Sequence, residues 1–498
     1  MAESKKSKPI PAKELVQLDG ADVLKEILAT GIKPRDEHAR EHGEQLIKAL
    51  VDQLLDPGMV VAKGVSRTID QRLAAIDALI SRQVNEIMHA EPFQKHEASW
   101  RGLHQLVHKS ETGENLKIRV LNIAKKDMLR DFQAAPEFTE SALWKKIYEY
   151  EFGLYGGDPY GALVGDYEFG KGPQDIELLE SISHVAAAAH APFLSAAGAE
   201  MFGLESYSQL PDPRDLAKIF DKSNPENTKW LSFRDSEDAR FVALTLPHVL
   251  ARLPYGRDTS PVDAFDFEES VDGSDHDKYL WANAAYSLAG RMTEAFARHH
   301  WCVAIRGPEG GGLVEGLPIH VFKTREGDNA SKCPTEVLIP DTRDKELSDL
   351  GFIGLVNCKN TDYAAFFSGY SAQRPKTYQD AAASANADLS RRLPYLMATS
   401  RIAHYLKAIC RDKIGAFASR SQVQTFLNNW ISHYVLDQDD ATQEQKAKFP
   451  LREASIEVVE DKARPGCYRA VAHLRPHFQL EELNVSLRLV ADLPAAAK

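Results

Sequence analysis

Residues 156–172 read GGDPYGALVGDYEFGKG, the densest glycine cluster of the 498-residue chain. Within it Gly165-x4-Gly170-Lys171 comes within one residue of a phosphate-binding loop, so its reading decides between a nucleotide-binding fold and a structural one. Such a loop needs a Ser or Thr after the lysine to hold Mg²⁺, and backbone N–H groups free to cradle phosphate oxygens. Here Gly172 follows Lys171, and Asp166 and Glu168 would set two carboxylates against a polyphosphate. The expectation is a packed turn, with glycines at positive φ and tyrosines over them, that holds no ligand.

On either side of this cluster the chain mixes strand and helix patterns. LKIRVLNI (116–123), WCVAI (301–305), IHVF (319–322), EVLI (336–339) and GFIGLV (351–356) read as strands. DIELLESISHVAAAAHAPFL (175–194), DARFVALTLPHVLARL (238–253) and LWANAAYSLAGRMTEAFARHH (280–300) read as helices, and the charged stretches 254–278 and 323–334 as surface insertions. Residues 91–384 are therefore expected to form a mixed α/β body.

Before it, residues 1–18 are polar, carry Lys5, Lys6, Lys8 and Lys13, and are expected to be a disordered tail. Residues 19–90 hold three amphipathic patterns and form a helical arm. Val23, Leu24, Ile27 and Leu28 make the first stripe; Leu46, Ile47, Leu50, Val51, Leu54 and Leu55 make the second, stopped at Pro57 and Gly58. The third starts near a capping box of Thr68 and Gln71. Residues 385–498 begin helical, from about Asp388 through Ile414 with a break at Pro394. They end in three strand patterns, 453–460, 467–474 and 484–490, the first two joined by a turn at Arg464, Pro465 and Gly466. A strand this near the chain end is free to pair with another molecule.

Composition narrows the class. The formal charge of −12 disfavours nucleic acid as a partner, because neutralising phosphate needs a basic face. No run approaches the ~18–20 apolar residues of a membrane helix, which argues against insertion and for a cytoplasmic protein. Cys302, Cys333, Cys358, Cys410 and Cys467 form no C-x-x-C pair and read as small buried hydrophobes. His96-Glu97-Ala98-Ser99-Trp100 has Trp where a zinc protease needs its second His, His184 and His190 fall on different helix faces, and GPEGGG (307–312) lacks dinucleotide-loop spacing. No catalytic, metal or cofactor residue is assigned. Aromatic and charged residues crowd together in EPFQKHEASWRGLHQLV, GGDPYGALVGDYEF and TDYAAFFSGYSAQRPKTYQD, which suits either a core corner or an interface.

The segments EPFQKHEASWRGL (91–103), GGDPYGALVGDYEF (156–169), LARLPYG (250–256), GFIGLVNCKNTDYAAFF (351–367) and LRPHFQLE (474–481) closely resemble the large-subunit family of the type VI secretion contractile sheath, known as TssC, VipB, EvpB or ImpC. The resemblance implies a structural, non-enzymatic role without cofactors. It implies pairing with a small sheath subunit, TssB (VipA), and polymerisation with other sheath subunits into a six-start helical tube around stacked Hcp rings. It further implies contact with baseplate components, contraction that propels the inner tube, and disassembly by a ClpV-type AAA+ ATPase. Such an assembly docks at the inner face of the cell envelope. The expected fold is α+β: an N-terminal helical arm, the mixed body, and a C-terminal gp25-like helix-plus-sheet domain that donates or accepts strands between subunits.

Three sets of residues follow. The ATPase handle of the family maps onto Val23, Leu24, Ile27 and Leu28. Asp341, Arg343, Asp344, Lys345 and Glu346 form an exposed mixed-charge segment suited to a releasable tube-facing contact, since rim charge pairs contribute only about 0–1 kcal/mol each; an ordinary solvated helix start reads the same way. Ile456, Val458, Val471, Val485, Leu487 and Leu489 are the candidates for strands shared between subunits. The rival readings are a nucleotide-dependent enzyme using residues 165–171 and GPEGGG, and an adaptor that binds one partner through its N-terminal helices.

Overall fold

The computed structural model describes residues 37–54, 65–273, 275–324, 326–359, 361–412, 420–438, 440–460 and 468–477. They belong to two units that divide after Arg82. The first holds α1 (Glu37–Leu54) and most of α2 (Val65–Met88). α2 is already helical at Val65, so Thr68 lies inside the helix and not at its cap. The tail, the stripe at residues 23–28 and the stop at Pro57 and Gly58 lie outside the described residues.

The second unit opens with α3 (Glu91–Lys109) and α4 (Lys125–Ala134), then enters its main sheet through β1 (Leu163–Phe169), α5 (Pro173–Ala189) and β2 (Phe193–Ala197). α6 (Thr228–Asp235), β3 (Val242–Leu246), β4 (Val249–Leu250), β5 (Trp281–Ala282) and α7 (Ala284–His299) follow. Next come β6 (Leu313–Val314), β7 (Val321–Lys323), β8 (Asn329–Ser331), α8 (Asp341–Asp349), β9 (Phe352–Asn357) and β10 (Ala364–Phe366). The sheet has the order β1-β2-β3-β9-β10-β6, parallel from β1 to β9 and antiparallel beyond. α5 and α7 bury apolar stripes, among them Ile176, Leu179, Ile182, Leu288 and Met292, in one core with β2, β3 and β9.

Several sequence expectations change here. β1 occupies the second half of the glycine cluster; only Gly156 in it has positive φ, whereas Gly165 sits within the strand. DARFVALTLPHVLARL is not a helix but β3, a turn and β4, because every residue of β3 is buried and a strand covered on both faces loses its alternation. In DIELLESISHVAAAAHAPFL the helix stops at His190, which takes a left-handed φ of 49°, and the last residues start β2. LKIRVLNI pairs with no strand among the described residues. Nor does WCVAI: Trp301 and Val303 fill one core and Ile305 another, which explains an apolar run without a ladder. EVLI is likewise irregular, and IHVF contributes only its end to β7. Residues 323–334 hold the β7–β8 hairpin, while 254–278 is not purely surface, since Phe267 and Glu269 are buried. Of the cysteines expected to be buried, Cys358 is exposed, Cys302, Cys333 and Cys410 are half-buried, and Cys467 lies outside the described residues.

The C-terminal part starts with α9 (Ala381–Ser390) and α10 (Leu393–Asp412), so Pro394 lies in a first turn, where its missing N–H costs nothing. α11 (Arg420–Ser432), α12 (Gln443–Lys448), β11 (Leu451–Glu460) and β12 (Tyr468–Pro476) complete it. β11 and β12 form an antiparallel pair whose Ile456 and Val458 pack with Leu427 and Ile431 of α11 and with Ala398 and Ile402 of α10. α10 also places Leu393, Leu396 and Met397 in the main core, so one helix joins the two cores.

Candidate assembly surfaces

The near-phosphate loop is closed by the chain itself. A Cβ on Gly165 would lie 2.5 Å from the Phe193 ring, so the glycine is required for β1 to pass that side chain. Asp175 accepts the Gly170 N–H at 2.7 Å and pairs with Lys125 at 2.7 Å, filling the N-terminus of α5 with the protein's own carboxylate. Lys171 lies 5.3 Å from the centre of the Phe220 ring, and burial lowers its pKa. GPEGGG folds back similarly: Gly307 N–H donates to Phe366 O and Gly312 N–H to Gly307 O.

Two of the three aromatic and charged blocks, 91–107 and 156–169, contribute to buried ion pairs. Arg252 bonds Glu97 from α3 and Glu269 from the following loop, with guanidinium and Glu269 carboxylate only 9% and 2% exposed. Arg101 bonds Glu97 and the Tyr255 hydroxyl, and Tyr255 N–H donates to Glu269. Beside β1, His248 donates from Nδ1 to Glu336 at 2.5 Å and from Nε2 to Glu168 at 3.0 Å. Burial opposes charge on His248, but the hydrogen bonds to the two carboxylates outweigh it and raise its pKa to about 10. Burial likewise opposes charge on Glu336, yet its bonds to His248 and His276 bring it down to about 2. Every charge here has a partner, so the network fixes α3 and the loops on the sheet. Glu97, Arg101 and Glu168 of these two blocks thus serve to pack the body.

The β11–β12 pair has two unlike edges. On the outer side of β11, Asn428 of α11 donates from Nδ2 to Ile456 O at 2.7 Å and accepts the Ile456 N–H at 2.9 Å, the bonds a neighbouring strand would make. Gln424 Oε1 accepts from Val458 N–H, and Leu451 exchanges backbone bonds with Tyr434 and Leu436. Along β12, Ala470, Ala472 and Leu474 stand opposite Val458, Ile456 and Ala454 and turn their backbone groups outward, with no partner among the described residues. One edge is plugged and the other is open.

The family profile described as "EvpB/VC_A0108, tail sheath N-terminal domain" matches residues 70–373, and the one described as "EvpB/VC_A0108, tail sheath gpW/gp25-like domain" matches residues 382–493. The chain belongs to this tail sheath family. It is 48% identical over 475 residues to the type VI secretion system sheath protein TssC1 of Pseudomonas aeruginosa, covering 94% of this chain and 95% of that one. Among solved structures, the anti-feeding prophage baseplate aligns over 64% of this chain and 66% of that one, with 10% identity and a TM-score of 0.33. A PVC contractile injection sheath in its contracted state aligns over 62% and 68%, with 9% identity and a TM-score of 0.32. Likeness at that level carries no argument.

In this tail sheath chain the expected surface residues separate. On α8, Asp341 and Lys345 are exposed and Glu346 half-buried. Arg343 instead turns to the carbonyls of Pro211 and Pro213, and Asp344 is buried against Gly354 of β9. The segment is thus not exposed throughout, because Gly354 leaves room for a carboxylate on its inner side. Ile456 and Val458 face the core and reach an edge only through their backbone, whereas Val471 points outward. Val485, Leu487 and Leu489, like Val23, Leu24, Ile27 and Leu28, lie outside the described residues. Sequence reasoning missed Asn428 and Gln424. Their spacing of four on one helix face places two amides along a strand, but only the fold shows which strand.

Proposed function

We propose that this chain is the large structural subunit of a type VI secretion contractile sheath, without enzymatic activity of its own. It pairs with a small sheath subunit, and the pairs polymerise as a helical tube around an Hcp-type inner tube in the cytoplasm, docked on baseplate components. No helix of the described residues is long and apolar enough to cross a membrane. The observation that carries the reading is the one-sided β11–β12 sheet in a chain of the tail sheath family: contraction moves subunits without separating them, and a strand from a neighbour added at the open edge of β12 supplies such a link. The strand pattern at 484–490 is the donor. Asp341, Lys345 and Glu346 are the tube-facing candidates that α8 leaves accessible, and residues 23–28 are the handle for a ClpV-type ATPase. Co-expression with the small subunit followed by electron microscopy tests the proposal. Long hollow tubes are expected; compact heterodimers alone, or saturable ATP binding abolished by Lys171→Ala, would contradict it.

A further inference from the structure

β11 and β12 form a two-stranded sheet, so each is an edge strand, and an unpaired edge is a template for another strand. The fold blocks one of the two. Asn428 of α11 turns its whole side-chain amide to Ile456: Nδ2 donates to Ile456 O at 2.7 Å and Oδ1 accepts the Ile456 N–H at 2.9 Å. The other Nδ2 proton goes to Gln424 O at 2.9 Å, which fixes the plane of the amide. Gln424 Oε1 then accepts the next outward N–H, that of Val458, at 3.4 Å. One helical turn rises ~5.4 Å and two strand residues span ~6.8 Å. A Gln and an Asn four residues apart on a helix running against β11 therefore meet successive outward peptide groups, and the longer side chain makes up the difference. Near the start of β11, Val435 bridges Leu451.

Apolar packing alone does not call for these amides, since Leu427 and Ile431 already hold α11 in one core with Ile456 and Val458. Without them the edge suits a second β11. Ala454, Ile456 and Val458 carry the outward peptide groups, and Glu453, Ser455, Glu457 and Val459 are exposed. An antiparallel pair of two β11 strands centred on Ile456 sets Ala454 opposite Val458, Glu453 opposite Val459 and Glu457 opposite Ser455. No two carboxylates then face each other. Sliding the pair by one step sets Glu457 against Glu453 in one direction and against its own copy in the other, so the centred register is the favourable one. Such a pair is two-fold symmetric and self-complementary, the commonest way for copies of one chain to associate.

We infer that Asn428, aided by Gln424, determines which edge of this sheet accepts strands: the two amides occupy the outer edge of β11 and shut out the β11 of a second copy, leaving uptake to β12. Uptake at β12 rests on the sheath reading, whereas exclusion at β11 is measured on the full chain alone, so each can fail without the other. Amide hydrogen exchange at Ile456 and Val458, together with sedimentation, is followed over a range of chain concentrations for wild type and for Asn428→Ala combined with Gln424→Ala. In wild type the two amides should exchange at the same rate at every concentration. In the variant they should exchange at least tenfold faster when dilute, then slow at least tenfold as dimers appear on concentration. Asn428→Asp keeps an acceptor for the Ile456 N–H and sets a carboxylate on the edge, so it should form at least tenfold fewer dimers than the alanine variant. Amides of the alanine variant that stay as protected as in wild type, or stay fast at every concentration, would overturn the inference, because the bulk of α11 would then shield the edge by itself. So would wild-type amides that already slow on concentration, or an Asn428→Asp chain that dimerises as readily as the alanine variant. Should the double substitution abolish cooperative melting, Asn428→Ala alone is read at Ile456 by the same criteria.

Discussion

Asp344 and Arg252 are both buried charged side chains, and the fold treats them oppositely. Arg252 is held between Glu97 and Glu269. Asp344 has an Oδ1 without a partner among the described residues, and burial pushes its pKa up to about 7. In the unfolded chain the group titrates near 3.9, so between about pH 4 and 7 the folded state binds more protons, and stability falls as pH rises through that window. Asp344→Asn removes this penalty. Urea unfolding should show the variant matching wild type near pH 4 and exceeding it by on the order of 2–4 kcal/mol above pH 7; equal stabilities at pH 8 would refute the unpaired-carboxylate reading. The sequence gives no hint of this inward turn: DTRDKE reads as solvated, and the space for the carboxylate comes from Gly354, on a different element. The ion network was half legible. Its aromatic and charged blocks stood out, but only folding brings Glu97 to Arg252, and that contact decides between core and interface.

Among the elements, long amphipathic patterns were readable and short buried ones were not. α7 and the β11–β12 pair follow their sequence patterns because each has one wet face. β3 was mistaken for helix because it has none. LKIRVLNI has strand chemistry but pairs with no strand among the described residues. On the C-terminal sheet, the amides of Asn428 and Gln424 occupy the outer edge of β11 and leave the β12 edge without a partner among the described residues. Ala472→Pro removes an outward N–H while leaving the bonds to β11 in place, since proline is tolerated on edge strands. The variant should melt within a few degrees of wild type and form no tubes when co-expressed with the small subunit; normal tubes would rule out strand addition at β12.

In the molecule as a whole, α10 sends side chains into both cores of the second unit, so a pull on the C-terminal sheet is transmitted to the main sheet through packed side chains rather than a linker. That suits a subunit that must move as one body while its strand links hold. The tail sheath family was legible from ordered sequence blocks, whereas the unlike edges of the β11–β12 pair needed the fold. Disassembly adds a separate test of the N-terminal arm: Leu24→Asp with Leu28→Asp should spare tube assembly and slow ATPase-driven disassembly several-fold, and an unchanged rate would remove residues 23–28 as the handle. The most direct measurement is a strand-resolution image reconstruction of the co-expressed complex. It should show hollow tubes in which a neighbour's strand lies against Ala470, Ala472 and Leu474 of β12, with Asn428 still bonded to Ile456. Compact heterodimers, or a strand that displaces Asn428 from β11, would contradict it.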